Sequence, residues 1–207
     1  MKKTVIFDLD GTIVDIVPIF YRIVNTLATA YGYRPLSPDE LPGLQHLHLR
    51  QFLWQRLGWR LIFFPFMLRR GRAEYRRLVP EVALFSGMKN IIETLHTHHI
   101  RVGIVSSSEK DTIEALVTKY ALPVDFTYHS SLFNKAGSLQ TALQSEQLSL
   151  AETLYVGDEV RDVEACHKIG LDIIAVTWGL NNKQALIAAG AKSVDTREAL
   201  MKAIFSA

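Results

Sequence analysis

From Gly87 to the C-terminus, short apolar runs alternate with stretches of helical periodicity, and few folds accept that alternation. Helix Met88 to His98 leads to strand Arg101 to Val105, and helix Glu109 to Tyr120 leads to strand Val124 to Tyr128. Helix Ser138 to Glu146 leads to strand Thr153 to Val156, and helix Val160 to Ile169 leads to strand Asp172 to Thr177. A last helix–strand–helix runs from Asn182 to Phe205. Strands this apolar are buried on both faces, which calls for βαβ units around a parallel sheet. Val5 to Leu9 is one more such strand, and it ends in acid and glycine.

Between that first strand and Gly87 the pattern changes. Ile19, Ile23, Leu27 and Tyr31 recur at helical spacing, Pro35, Pro38, Pro42 and Gly43 mark a loop, and further helices are expected over Leu47 to Leu57 and Phe66 to Leu78. No strand pattern is visible there. The expected fold class is α/β, a doubly wound (Rossmann-like) parallel sheet. Its core comprises residues 1–14 and 86–207, with an all-helical cap domain inserted at 15–85.

In a doubly wound sheet, ligands bind at the carboxyl ends of the strands. The first strand ends at Asp8 and Asp10, the second at Ser106, and Lys135 follows the strand ending near Tyr128. The strand Thr153 to Val156 runs into Gly157-Asp158-Glu159, with Asp162 shortly after. Four strand ends thus bring acids, a hydroxyl and a lysine to one edge. Gathered carboxylates repel one another and need a cation between them, and hard oxygen donors favour Mg2+. A carboxylate beside a metal-bound phosphate can attack in line, and a second carboxyl can protonate the leaving alkoxide.

On Asp8-Leu9-Asp10-Gly11-Thr12, Val105-Ser106, Lys135 and Gly157-Asp158-Glu159-Val160-Arg161-Asp162, taken in that order, the chain resembles the haloacid dehalogenase (HAD) superfamily. It is most similar to the phosphoglycolate phosphatase-like members with a helical cap after the first strand. The resemblance implies Asp8 as nucleophile and metal ligand. Asp10 would be general acid and base, with its carbonyl on the metal. Ser106, Ser107 and Lys135 would bind the phosphoryl group, and Asp158, Glu159 and Asp162 would hold Mg2+ or its waters. The implied reaction is hydrolysis of a small phosphorylated metabolite through an aspartyl-phosphate. A sugar-phosphate mutase or a non-catalytic phosphate-binding module on the same core are the alternatives. Dehalogenases of the superfamily lack the second aspartate, so Asp10 argues for phosphate chemistry. Phosphonoacetaldehyde hydrolases use a cap lysine, and this chain has none between Lys3 and Lys89.

Composition narrows the partners. The net charge of +2 at pH 7 singles out no partner, and no nucleic acid is expected. The segment Asp15 to Phe85, however, holds ten arginines against five acids. Arginine suits anionic oxygen groups, so one or two of these are expected to face the core and select an acidic substrate. The lone cysteine, Cys166, reads as a buried small residue. His96, His98 and His99 do not share a helical face and read as a polar helix end. The run Trp54, Trp59, Phe63, Phe64 and Phe66 beside Arg69, Arg70 and Arg72 has the composition of a membrane-surface stretch. The favoured reading is that it folds its apolar face onto the insert and the core, with a dimer contact next. No stretch is long enough to span a bilayer, so the expectation is a cytoplasmic protein, monomer or weak homodimer, without stable membrane insertion.

Overall fold

The computed structural model describes residues 2–207. Six parallel strands form the central sheet: β1 (Thr4–Phe7), β4 (Arg101–Ser106), β5 (Phe126–His129), β6 (Thr153–Gly157), β7 (Asp172–Val176) and β8 (Lys192–Val194). Their order is β5-β4-β1-β6-β7-β8. All four residues of β1 are buried, because β4 and β6 flank it and helices cover both faces. Register pairs Phe7 with Ile104 on one side and Val156 on the other, so the three strands end level. The chain reverses direction around β1, which leaves the crevice of a doubly wound sheet above Asp8.

The crossovers are α5 (Met88–Thr97), α6 (Lys110–Tyr120), α7 (Lys135–Ser145), α8 (Val160–Ile169) and α9 (Lys183–Ala188), with α10 (Arg197–Phe205) closing the chain. Their buried faces follow the apolar periodicity. In α5, Met88, Ile91, Ile92 and Leu95 turn inward. Two helix ends set the site. Helix α7 begins at Lys135, three residues before the expected Ser138. Asn134 caps it by accepting from the Gly137 N–H at 3.3 Å, which carries Lys135 out of the loop and into the first turn. Glu159 occupies the N-cap of α8, and the Asp162 carboxylate accepts from the Glu159 N–H at 3.2 Å.

The insert is helical: α1 (Val17–Tyr31), the single turn α2 (Leu41–Leu44), α3 (Leu49–Leu57) and α4 (Phe64–Leu78). Helix α1 packs against α4, and Val24, Leu27, Phe52, Leu57 and Met67 form a core of its own. One feature departs from the expectation of no strands. Val14–Asp15 (β2) and Ala83–Leu84 (β3) pair antiparallel where the chain leaves and re-enters the core. Two residues are too few to show alternation, and the pairing depends on partners some 70 positions apart.

The aromatic run is a clearer correction. Trp54, Trp59 and Phe66 are 67, 66 and 65% exposed, and Phe63 and Ile62 stand out beside them. Only Phe64 of that run leans on the core, tilted against Phe133. Helices α3 and α4 already bury Phe52, Leu57, Met67 and Tyr75, so the opposite aromatic face has nothing left to cover it.

Candidate active site

Asp8 leaves β1 at the centre of the sheet and is buried. Its Oδ1 accepts from the Leu9 N–H at 2.8 Å, and its Oδ2 accepts from Lys135 Nζ at 2.6 Å. The same ammonium donates to Asp162 Oδ1 at 2.5 Å and lies over the Tyr155 ring. Asp158 follows β6. Its Oδ1 accepts from Thr12 Oγ1 at 2.8 Å and its Oδ2 from the Leu180 N–H at 2.7 Å. A carboxylate oxygen from each of Asp8, Asp158 and Asp162 lies within 4.8 Å of the others.

Close approach of backbone makes room for this triad. A Cβ on Gly11 would fall 2.2 Å from Asp158 Oδ2, and one on Gly179 would fall equally close. Gly11 also adopts φ +82°, a conformation glycine takes without steric cost.

Electrostatics separate the acids. Burial raises the Asp8 carboxyl to about 7, against the attraction of Lys135 and with Asp162 adding repulsion. Burial, then Glu159, Asp8 and Asp162, push Asp158 well above the carboxylate range. Burial alone would lower the Lys135 amine, but Asp162 and Asp8 outweigh it and hold the ammonium. Three buried carboxylates facing one buried ammonium leave excess negative charge. That donor set fits a hard divalent cation, which would offset the repulsion.

Asp10 has a separate environment. Its Oδ2 accepts from Ser108 Oγ at 2.5 Å and Ser106 Oγ at 3.3 Å, and its Oδ1 accepts from the Tyr75 hydroxyl of α4. Burial raises its pKa, although Ser108, Tyr75 and Ser106 all oppose the rise by hydrogen bonding. The Asp10 carboxylate therefore stands outside the acidic triad. Glu159 also stands outside it, because its side chain pairs with Arg161 at 2.5 Å. Ser107 Oγ accepts from Arg161 at 3.2 Å.

Four side chains at this edge escaped the sequence reading. Thr12 closes the first motif, and Ser108 directly follows Ser107, so both neighbour residues already singled out. Arg161 lies within the last motif, where its pairing with Glu159 at i and i+2 is invisible to helical spacing. Tyr75 carries no local signal at all. In α4 it reads as one more apolar position, and its partner lies 65 residues earlier.

The model of the haloacid dehalogenase-like hydrolases matches residues 5–176. This chain belongs to that family. The haloacid dehalogenase-like chain is 32% identical over 194 residues to a phosphoglycolate phosphatase of Synechococcus elongatus, covering 90% of this chain and 89% of the relative. A phosphoglycolate phosphatase of Vibrio cholerae is 23% identical, covering 89 and 88%. The fold is shared with a protein described as a predicted phosphatase from Clostridium acetobutylicum, at TM-score 0.84, 19% identity and full coverage of both chains. It is also shared with a haloacid dehalogenase-like family protein from Streptococcus pneumoniae, at TM-score 0.83 and 20% identity over 99 and 98% of the chains. Among the described residues no helix is long and apolar enough to cross a membrane.

Proposed function

We propose that this hydrolase is a Mg2+-dependent phosphomonoesterase acting on a small phosphorylated metabolite, with residues 1–14 and 86–207 as catalytic core and 15–85 as cap. The observation that carries the reading is the buried triad Asp8, Asp158 and Asp162, bridged by Lys135, with Asp10 set apart from it. Asp8, Asp158 and Asp162 would hold the metal. Bound there, Mg2+ supplies charge neutralisation for the carboxylates and the phosphoryl oxygens.

The chain's own residues then have distinct tasks. An Asp8 oxygen attacks phosphorus, and the bond to the leaving oxygen breaks. Lys135, Ser106 and Ser107 hold phosphoryl oxygens. Asp10, whose hold on a proton burial strengthens, gives a proton to the departing alkoxide. It then takes a proton from the water that opens the aspartyl-phosphate, which releases inorganic phosphate and restores both acids. The names of the curated relatives support a phosphomonoester as substrate. We place the enzyme in the cytoplasm as a monomer or weak homodimer, a reading that the buried free thiol of Cys166 supports.

The test is hydrolysis of p-nitrophenyl phosphate and a panel of metabolite phosphates, with Mg2+ or with EDTA. Activity is expected only with the metal, and Asp8→Asn is expected to lower kcat by about 10^4-fold or more. Absence of turnover on every ester would overturn the reading.

A further inference from the structure

Above Asp10 a cavity of about 250 Å³ opens between the insert and the core. Asp10, Tyr75, Ser107 and Ser108 stand at its catalytic end. Beyond them the lining is almost wholly hydrocarbon, with Phe20, Leu27, Phe52, Leu57, Phe64 and Met67 around the space.

Each arginine in the lining lies beside an acid. Arg56 donates to Glu40 at 3.2 Å and to the Arg34 and Pro35 carbonyls. Arg72 lies 3.9 Å from Glu109, and Arg161 is paired with Glu159. Two insert arginines, Arg56 and Arg72, thus do line the cavity as expected, but each already lies beside an acid. Arg22, Arg34, Arg76 and Arg77 are likewise paired, with Glu81, Glu40, Glu109 and Glu74.

A carboxylate entering this space would lose its water and find each lining arginine already beside an acid, with the buried Arg161 Nε the one donor there without an acceptor, which is costly. A hydrocarbon entering it would shed water and touch carbon on every side. We propose that the cavity is a leaving-group site for an apolar alcohol, so that the preferred substrate is the phosphate monoester of an aliphatic or aromatic alcohol and not of a hydroxy acid. The proposal rests on the phosphomonoesterase reading above. At roughly 30 Å³ for each water-sized group, the volume takes about eight non-hydrogen atoms. The site therefore has a length limit.

Gly71 offers a way to change that limit. It lies on α4 in the lining, and a Cβ there would touch Ile23 and Leu27 at 3.5 Å without overlap. Ile23 and Leu27 line the same cavity, so a larger side chain at 71 would compete with them for its space.

The experiment measures kcat/KM for n-alkyl phosphates of two to ten carbons beside phosphoglycolate, for the wild type and Gly71→Leu. Burial of each methylene is expected to raise kcat/KM about fourfold (about 0.8 kcal/mol) until the cavity is full. Hexyl phosphate should exceed phosphoglycolate by at least tenfold, and Gly71→Leu should move the plateau to shorter chains. Binding of the same alkyl phosphates to Asp8→Asn by calorimetry, with Mg2+, gives a readout independent of turnover. Affinity should rise with chain length, with an increasingly negative heat-capacity change. Turnover that favours phosphoglycolate, with binding flat in chain length, would overturn this inference and leave the phosphomonoesterase standing. Binding that rises with chain length but no turnover of any ester would uphold the apolar site and sink the phosphomonoesterase.

Discussion

Lys135 lies buried at the start of α7 with both its carboxylate partners within 2.6 Å, while Trp59 and Phe66 of the insert stand two-thirds in solvent. The core places each acid of the site, and Lys135, against a named partner. The insert leaves hydrocarbon uncovered outside and a cavity inside. A buried ion network tolerates little displacement, because an unpaired charge at low dielectric is expensive. An apolar lining is forgiving, since hydrophobic contact has no direction. The division of labour follows: chemistry sits where geometry is strict, and the choice of leaving group sits where it is loose.

That contrast can be tested in steps. After Asp8, the largest effect is expected at Asp10, which lies outside the triad. Asp10→Asn removes the proton carried to the leaving oxygen and should lower kcat by roughly 10²–10⁴-fold, with less loss on p-nitrophenyl phosphate, whose leaving group needs less help. An equal loss on alkyl and aryl esters would show that Asp10 acts by holding structure.

Metal should matter next. The unfolded Asp8 carboxyl titrates near 3.8 and the folded one at about 7. Between those values the folded state holds the proton more firmly. Stability from Asp8 is therefore full below pH 3.8 and lost as pH rises through about 7. A cation that binds the ionised acids restores it, by about 2.7 kcal/mol at a hundredfold excess over Kd. The rise in Tm on adding Mg2+ should be larger at pH 8 than at pH 5, and Asp8→Asn should shrink the difference. Equal shifts at both pH values would break the link between the triad and the metal.

A smaller effect is expected at Tyr75, the insert side chain that donates to Asp10. Tyr75→Phe leaves an Asp10 oxygen short of a donor, at a cost of about 1–3 kcal/mol. We expect roughly a tenfold fall in kcat, and urea unfolding should show a loss of stability in that same range. If KM moves and kcat does not, Tyr75 belongs with the apolar lining. The smallest effect is expected outside: Trp59→Ser should change unfolding free energy by no more than about 0.5 kcal/mol. A larger loss would show that the aromatic face is covered in solution, and sedimentation would then reveal the partner copy.

The sequence was most legible where burial is complete. Val5 to Phe7, Val102 to Val105 and Leu154 to Val156 are continuous apolar runs because the sheet is covered on both faces, and each stops where an acid or hydroxyl meets the crevice. Asp8, Asp10, Ser106 and Asp158 could be placed at one edge for that reason alone. Lys135 was placed at that edge too, although Asn134 draws it into the helix. The insert was less legible. Periodicity showed that α3 and α4 are amphipathic, but not which face would find cover, so Trp54 and Phe66 were expected inside. Arginine excess suggests an acidic ligand, but charge counts do not show that Glu40 of the same segment and Glu109 of the core meet Arg56 and Arg72.

The seam between β2 and β3 has one more consequence. Val14 faces Leu84 and Asp15 faces Ala83, so the insert's two ends lie side by side on the core. A chain cut there could be rejoined to a different helical segment without moving β1 or the acids behind it. Such a graft would inherit the nucleophile, the lysine and the triad intact. It would have to bring its own hydroxyl to Asp10, since Tyr75 leaves with the excised piece. The lineage could thus trade leaving groups by recombination at a four-residue joint, with the reaction itself passed on unchanged.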